Sequence, residues 1–283
     1  MKLLKGKIFN LILFFIIIYI ISIIFSCRTI AIKTYTIESP LFMKDSGLKI
    51  ILISDLHNSI YGKDQTPLID KIKQQNPDLI VLTGDIFDNK VRMTGTKLLL
   101  SGISNSAPVY YVTGNHEYRS KKMKEIREHL EYYGILVLSD EYTKIKINKN
   151  EFILARIEDP EKKKYEEKNY DQNTVMEERF RELDNMVLYK ILLTHRPERI
   201  KDYQKFSFNL ILSGHTHGGQ IRIPKIVNGL FAPNQGFFPK YGGGMYQHDN
   251  LVHIISRGLA LNIMRPRIFN SPELVVINIK SNK

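Results

Sequence analysis

The chain has 283 residues, 43% of them hydrophobic, and 41 Lys and Arg against 29 Asp and Glu give it a formal net charge of +12. That length buries a substantial core in one large domain or two small ones, and ordinary apolar content excludes a disordered or fibrous chain. A lone cysteine, Cys27, excludes an intrachain disulfide, while the positive balance favours anionic partners such as phosphates, nucleic acid or an acidic membrane surface.

The first element is apolar. From Ile8 to Phe25 the only clear interruptions are Asn10 and Ser22, and Lys2, Lys5 and Lys7 lie just ahead. The run is long enough to span a bilayer as a helix and longer than a usual signal-peptide core, and no small residues mark a cleavage site near its end. Only Arg28 and Lys33 follow closely, so the positive-inside tendency puts the N-terminus in the cytoplasm and the remaining chain outside. A competing reading takes Ile24-Phe25-Ser26-Cys27 as a degenerate lipoprotein processing site with Cys27 lipidated, a pattern that Phe25 fits poorly. Residues 1–27 thus read as cytoplasmic lysines and anchor, 28–47 as a polar connector, and 48–280 as one domain.

Within that domain strands and helices alternate. Leu48 to Ile53 is an apolar run that ends in Ser54-Asp55-Leu56-His57. Thr66-Pro67 opens a helix, with Thr66 a candidate N-cap and Pro67 at the first helical position, and Asn76-Pro77 ends it. Leu79 to Thr83 runs into Gly84-Asp85, and a helix is predicted around Thr96 to Ser104. Val109 to Thr113 leads into Gly114-Asn115-His116-Glu117, and a charged helix is predicted from about Ser120 to Tyr133, with Gly134 placed to terminate it. Such alternation implies a mostly parallel sheet covered by helices.

The second half is richer in strands. Lys144–Ile147 and Phe152–Ile157 are predicted to pair through Asn148-Lys149-Asn150, and the polar stretch from Asp159 to Asp184 to hold a loop and a helix. Tyr189 to Thr194 ends in His195, and Leu210 to Ser213 ends in Gly214-His215-Thr216-His217-Gly218-Gly219. Two closing strands, near Leu251–Ser256 and Leu274–Ile279, flank a basic segment from Arg257 to Arg267. The clusters Lys121-Lys122-Met123-Lys124 and Lys162-Lys163-Lys164 lack interleaved aromatics, which suits a solvated face better than a base-stacking platform; no nucleic-acid partner is expected.

Five runs therefore end in metal-capable residues: Asp55 with His57, Asp85, Asn115 with His116, His195, and His215 with His217. In open α/β sheets ligands bind at the carboxyl ends of strands. A mixed carboxylate, amide and imidazole set suits Mn, Fe or Zn better than Ca or Mg, and the lack of thiolates disfavours a structural zinc site. The set is too large for one ion; if Asp85 bridges, two divalent ions about 4 Å apart can share it, as in two-metal hydrolases of phosphate esters.

The ordered motifs Asp55-Leu56-His57, Gly84-Asp85, Gly114-Asn115-His116-Glu117, His195 before Arg196-Pro197, and Gly214-His215-Thr216-His217 resemble the calcineurin-like metallophosphoesterase superfamily. Ser213 to Ile223, Ala232-Pro233, Gly242 to Tyr246 and Ser256-Arg257-Gly258-Leu259 look like its YkuE-type, membrane-associated branch. The resemblance implies an α/β/β/α sandwich of two mixed sheets flanked by helices, with a dinuclear metal centre between loops at one edge. It assigns Asp55, His57 and His217 to the first ion, Asn115, His195 and His215 to the second, and Asp85 to the bridge. His116 would not bind metal; it would stabilise charge on the phosphoryl group or protonate the leaving oxygen, with Asp88 a candidate partner for setting its tautomer. Departures lie outside these motifs: Ala155-Arg156-Ile157-Glu158-Asp159-Pro160 where relatives tend to have a glycine ahead of Asp-Pro, and Ala260 where a glycine often follows. Arg156, Arg257, Arg265 and Arg267 are candidates for contacting a phosphate or acidic headgroup, against surface solvation.

The expected function is a membrane-anchored phosphohydrolase, its catalytic domain extracytoplasmic, that uses a metal-bound hydroxide on a phosphomonoester, phosphodiester or pyrophosphate of a lipid or cell-envelope precursor. A cytoplasmic-facing domain would favour nucleotide-sugar-lipid pyrophosphate chemistry. The alternatives are a non-catalytic scaffold of the same fold, disfavoured by the intact motifs, and a nuclease, disfavoured by the absence of a DNA-binding module.

Overall fold

A computed structural model describes residues 29–89, 91–137, 139–261 and 267–282, with Lys7, Phe9, Asn10, Leu13, Phe14 and Ile17 ahead of them. The membrane segment expected at Ile8–Phe25 falls largely outside the described residues, as do Cys27 and Arg265. Among the described residues no helix is long and apolar enough to cross a membrane.

The strands, in chain order, are β1 (Ala31–Ser39), β2 (Gly47–Ile53), β3 (Leu79–Thr83), β4 (Val109–Val112), β5 (Leu136–Val137), β6 (Glu141–Ile147) and β7 (Asn150–Arg156). They continue with β8 (Tyr189–Leu193), β9 (Leu210–Ser213), β10 (Phe231–Ala232), β11 (Gly236–Phe237), β12 (Gly244–His248), β13 (Leu251–Ile255) and β14 (Glu273–Ser281). Two mixed six-stranded sheets result, ordered β1-β14-β2-β3-β4-β5 and β12-β13-β9-β8-β7-β6. In the first, β2, β3 and β4 run parallel and β14 lies antiparallel to β2; in the second, β7, β8, β9 and β13 run parallel between antiparallel edges.

The main helices are α1 (Thr66–Lys73), α2 (Thr94–Ile103), α3 (Asn115–Ser120), α4 (Met123–Tyr132), α5 (Lys162–Tyr165), α6 (Gln172–Phe180) and α7 (Ile200–Tyr203). Alternation along the strands sets the layers, because successive side chains point to opposite faces. Ile50 and Leu52 of β2 join Leu154 and Leu193 of the other sheet in the core between the sheets. Their neighbours Ile51 and Ile53 pack with Leu68 and Ile72 of α1 and Leu99 of α2 on one outer face. Ile153, Leu192 and Ile211 do the same with Phe180 of α6 and Tyr203 of α7 on the other. The architecture is the expected α/β/β/α sandwich, and each buried Ile or Leu contributes roughly 1.5–3 kcal/mol to it.

Several local expectations are corrected. Residues 31–39, read as part of a polar connector, form edge strand β1, paired with β14 from Ala31↔Glu273 to Ser39↔Ser281. Thr66 is not a cap but the first helical residue; Gln65 holds the cap position at φ 64 without a capping bond. Its side chain is occupied elsewhere, donating to Ser59 O at 2.9 Å and accepting from Tyr61 N at 2.6 Å. The charged helix predicted from about Ser120 to Tyr133 is α4, which begins at Met123; a separate helix not expected from the sequence, α3, precedes it and ends at Lys121, whose φ is 59, so His116 rides on the first turn of α3. Gly134 ends α4 with φ 67, as expected.

Candidate metal centre

The strands β2, β3, β8 and β9 stop at one edge of the sandwich, and there the backbone turns sharply. Asp55, His57, Asp85, His215 and His217 all have positive φ, from 48 to 72. For non-glycine residues that conformation is uncommon and costly, and it persists only where surrounding contacts determine it. Two contacts are visible: a Cβ on Gly214 would collide with Ser54 Oγ and Asp55 Oδ2, and one on Gly114 would collide with Asp85 Oδ1. Only glycine lets these loops close over the carboxylates. The buried Glu117 carboxylate clamps two of the loops together, accepting from the backbone N–H of Asp85, Ile86, Phe87 and Gly114 at 2.8–3.0 Å.

The result is a convergence of lone pairs. Asp85 Oδ1 accepts His116 N–H at 2.8 Å, while its Oδ2 lies 3.6 Å from His57 Nε2 and 3.3 Å from His195 Nε2. That one oxygen stands between two groups of donors, the geometry a bridging carboxylate needs. On one side Asp55, His57 and His217 bring their ligand atoms within 4.8 Å of one another; on the other Asp85, His195 and His215 do the same. His57, Asp85 and His116 form a third such group.

Hydrogen bonds fix which imidazole nitrogen faces inward. His195 Nδ1 donates to Thr83 O at 2.8 Å, leaving Nε2 for the site, 3.1 Å from His215 Nδ1. His57 Nδ1 is held by Asp88, and its Nε2 is buried without a partner. The Asn115 side-chain amide lies 3.0 Å from His215 Nδ1, its nitrogen donating. Buried His57 Nε2 has no hydrogen-bond partner, and it converges with carboxylate oxygens and further imidazole nitrogens; buried lone pairs gathered in this way are costly unless something satisfies them, so the donor set fits divalent metal on its own chemistry. Burial, reinforced by His195 and Arg196, holds the His215 pKa well below the usual imidazole range. Burial, His57 and Arg267 do the same for His217. Both are therefore neutral bases, the form that ligates. Burial opposes ionisation of Asp85, yet the surrounding imidazoles, His195 first, hold its carboxyl well below the usual range.

Asp88, the candidate partner for His116, lies 2.9 Å from His116 Nδ1 through its Oδ2, and the sequence did not disclose that the same oxygen lies 3.0 Å from His57 Nδ1, so one carboxylate orients a candidate ligand and the expected acid together. Burial lowers the His116 pKa but the Asp88 bond and the Asp85 charge outweigh it, and the net shift is upward. On the opposite side Arg196 forms a buried two-pronged pair with Asp159, at 2.5 and 3.0 Å, and its Nη1 reaches His215 Nε2 at 3.0 Å and Asn234 Oδ1 at 2.7 Å. Asn234 Oδ1 is itself 2.9 Å from His215 Nε2. The sequence signal was available in Asp159, which follows β7 at the same edge.

The candidate arginines are placed otherwise than expected. Arg156 is fully buried, donating to Leu136 O and stacking over Tyr110, where burial drops its pKa to about 10. Arg257 is paired with buried Glu273 at 2.6 Å, and Arg267 lies buried with its Nη1 on Arg257 O. Each of the three is held by the protein, and none is a solvated surface group. Lys162, from a cluster read as solvated, binds Asp140 at 2.9 Å. Basic residues do line a cavity of about 460 Å³ that opens beside Asp88, among them Arg92, Lys97 and Lys122.

Residues 48–219 match the family model for calcineurin-like phosphoesterases. The chain is 30% identical to an uncharacterized metallophosphoesterase of Campylobacter jejuni over 100% of its own length and 72% of the relative's. It is also 30% identical to the uncharacterized metallophosphoesterase YkuE of Bacillus subtilis, over 87% of this chain and 84% of that one. A zebrafish relative described as a transmembrane protein with metallophosphoesterase domain is 27% identical, covering 62% of this chain and 41% of the relative. Among solved structures the NAD nucleotidase of Haemophilus influenzae shares the fold, with a TM-score of 0.53 at 14% identity over 77% of this chain; the chain spans 46% of that nucleotidase.

Proposed function

The chain belongs to the calcineurin-like phosphoesterase family and is a phosphoester hydrolase, and from that premise we propose a dinuclear enzyme that acts on a phosphate ester or pyrophosphate at a membrane. The observation that carries the reading is Asp85 Oδ2, set between His57 Nε2 and His195 Nε2 where both donor groups meet. Asp55, His57 and His217 would hold one divalent ion, Asn115, His195 and His215 the other, with Asp85 between them; Mn, Fe or Zn suits the donors. Ions held there would supply the nucleophile-activating and charge-neutralising chemistry of two-metal hydrolases.

The protein's own contribution is orientation and proton supply. His116, its side chain 27% exposed against 0% for His195, is the site imidazole best placed to meet a substrate. With Nδ1–H donated to Asp88, which also favours the protonated ring, the imidazolium can donate from Nε2 a hydrogen bond to the phosphoryl group or a proton to the leaving oxygen. The basic cavity beside Asp88 offers room for the rest of an anionic substrate. The apolar Ile8–Phe25 run supports anchoring to the cell membrane with the catalytic domain extracytoplasmic, and the naming of the zebrafish relative agrees with a membrane setting. A lipid or cell-envelope phosphoester is then the natural substrate class.

The test is hydrolysis by the full chain in detergent, stripped of metal and reloaded with Mn, Fe, Zn or Mg, against aryl phosphomonoester, aryl phosphodiester and a lipid-linked pyrophosphate. Metal-dependent turnover is expected. Two bound metals per chain without turnover of any substrate would favour the scaffold alternative.

A further inference from the structure

We propose that the segment from Ile221 to Lys240 is a lipid-docking surface that seats the metal edge on a bilayer with anionic headgroups. The inference rests on the membrane reading above and deepens it by naming the part of the fold that meets the lipid.

The segment leaves the site directly after His217 and remains tied to it. Leu230 N–H bonds to Gly219 O at 2.9 Å and Ile221 O at 2.8 Å, and Phe238 N–H bonds to Leu230 O at 2.8 Å. Between them β10 and β11 form a small hairpin whose turn carries Asn234, the residue that reaches His215 and Arg196. The outer face of this construction is apolar and uncovered. Ile226 is 79% exposed, Phe237 70% and Phe238 68%, with Phe231 and Ile223 also exposed. The Phe231 and Phe237 rings pack edge to face, 5.4 Å apart. Clustered exposed aromatics of this kind mark an interaction surface rather than the scatter of single apolar residues found on any protein.

Charge selects the occupant. From Gly218 to His248 there is no Asp or Glu, while Arg222, Lys225 and Lys240 are present. Apolar side chains that enter the acyl boundary beneath a fringe of lysines are the composition of an interfacial anchor, with each base near the surface of an anionic leaflet adding about 1 kcal/mol.

Chain entry points the same way. β1 begins at Ala31 opposite Glu273, and β14 pairs Val275 with Leu52, so Ala31 lies level with the end of β2, where Asp55 follows. Only residues 26–30 separate Phe25 from Ala31, a reach of at most about 20 Å at ~3.5 Å per residue. An apolar segment at 8–25 embedded in a bilayer therefore holds the metal edge, and with it the hairpin, near the lipid surface.

The chain has no tryptophan, which makes the test direct. Phe237→Trp and Phe238→Trp, each in the full chain reconstituted into bilayer discs, are expected to lose emission when phosphatidylglycerol with brominated acyl chains replaces the unbrominated lipid, and less so in brominated phosphatidylcholine. Tyr132→Trp, exposed on α4 and remote from the metal edge, is expected to keep its emission. Unquenched probes at 237 and 238, quenching equal in the two lipids, or a blue shift that depends on protein concentration and not on lipid, which would give the face to a second copy, each overturns the proposal. Quenching is read without catalysis, so it stands or falls separately from the hydrolase reading. In a second measurement, Phe237→Ser with Phe238→Ser is expected to slow hydrolysis of a bilayer-embedded phosphoester while leaving a soluble aryl phosphate unaffected; equal slowing of both overturns the docking role.

Discussion

The two flanks of Asp85 are built differently. Around His57 and His116 the side chains reach water, with exposures of 11% and 27%, and a single shared carboxylate, Asp88, orients both imidazoles. The imidazoles of His195 and His215 are closed off instead: His195 sits at 0% and His215 at 3%, behind the Arg196–Asp159 pair, and the exposed Asn234 meets His215 from outside. A closed flank fixes its imidazoles in place, while an open one can receive a substrate and exchange a proton with it. A two-metal hydrolase needs both properties and here divides them between its sides.

Asp85→Asn tests the hinge of that contrast, since it weakens both flanks together. We expect loss of metal from both positions and a fall in turnover greater than roughly 10³-fold; near-normal turnover would refute the bridge. His116→Gln touches the open flank alone. Metal content, measured by elemental analysis, is expected to persist while kcat falls by roughly 10²-fold or more, and metal loss instead would make His116 a ligand. Asn234→Ala addresses the closed flank from outside: without its acceptor, His215 is held less firmly, and metal affinity is expected to drop about tenfold, the low end for supporting contacts. An unchanged affinity would mean that Asn234 does not set that imidazole.

The smallest effect concerns stability. His253 lies under the closed flank, fully buried, with Nε2 2.8 Å from Ser213 Oγ. Burial, helped by His248, pushes its pKa down to about 3. The unfolded chain, with an ordinary imidazole near 6.5, therefore binds the extra proton between about pH 6.5 and 3, and stability falls as pH is lowered through that window by roughly 1 kcal/mol per unit. Denaturant midpoints from pH 7 to 5 are expected to drop less steeply in His253→Gln; parallel slopes would exclude the residue as the source.

What the sequence disclosed follows from the same contrast of environments. The strands that carry the site are buried on both faces, so they read as apolar runs, and the candidate ligands stand where those runs stop. β1 escaped notice because it is an edge strand: only Ile37 and Ser39 are buried, and Lys33, Thr34 and Thr36 dilute its alternation. β12, glycine-led and also at an edge, was missed for the same reason. The shared role of Asp88 needs His57 and His116, from separate loops, to meet above one carboxylate, which no local pattern encodes. Arg156 misled in the opposite sense. Its charge suggested a cleft, yet it ends β7 beneath Tyr110, where the sheet geometry leaves it no route to solvent.

The place of β14 has a consequence for how the molecule comes into being. It lies between β1 and β2, pairing with β1 about 240 residues after that strand has been made. Until residues 273–281 have been made, β2 lacks its neighbour on that side, and until Gly258 has been made, the turn bearing Asp55 lacks the residue that packs against that carboxylate. Contacts so distant in sequence form slowly and late. A chain truncated before Glu273 would therefore leave β1 and β2 without the strand that joins them, and the edge from which Asp55 projects should fail to assemble.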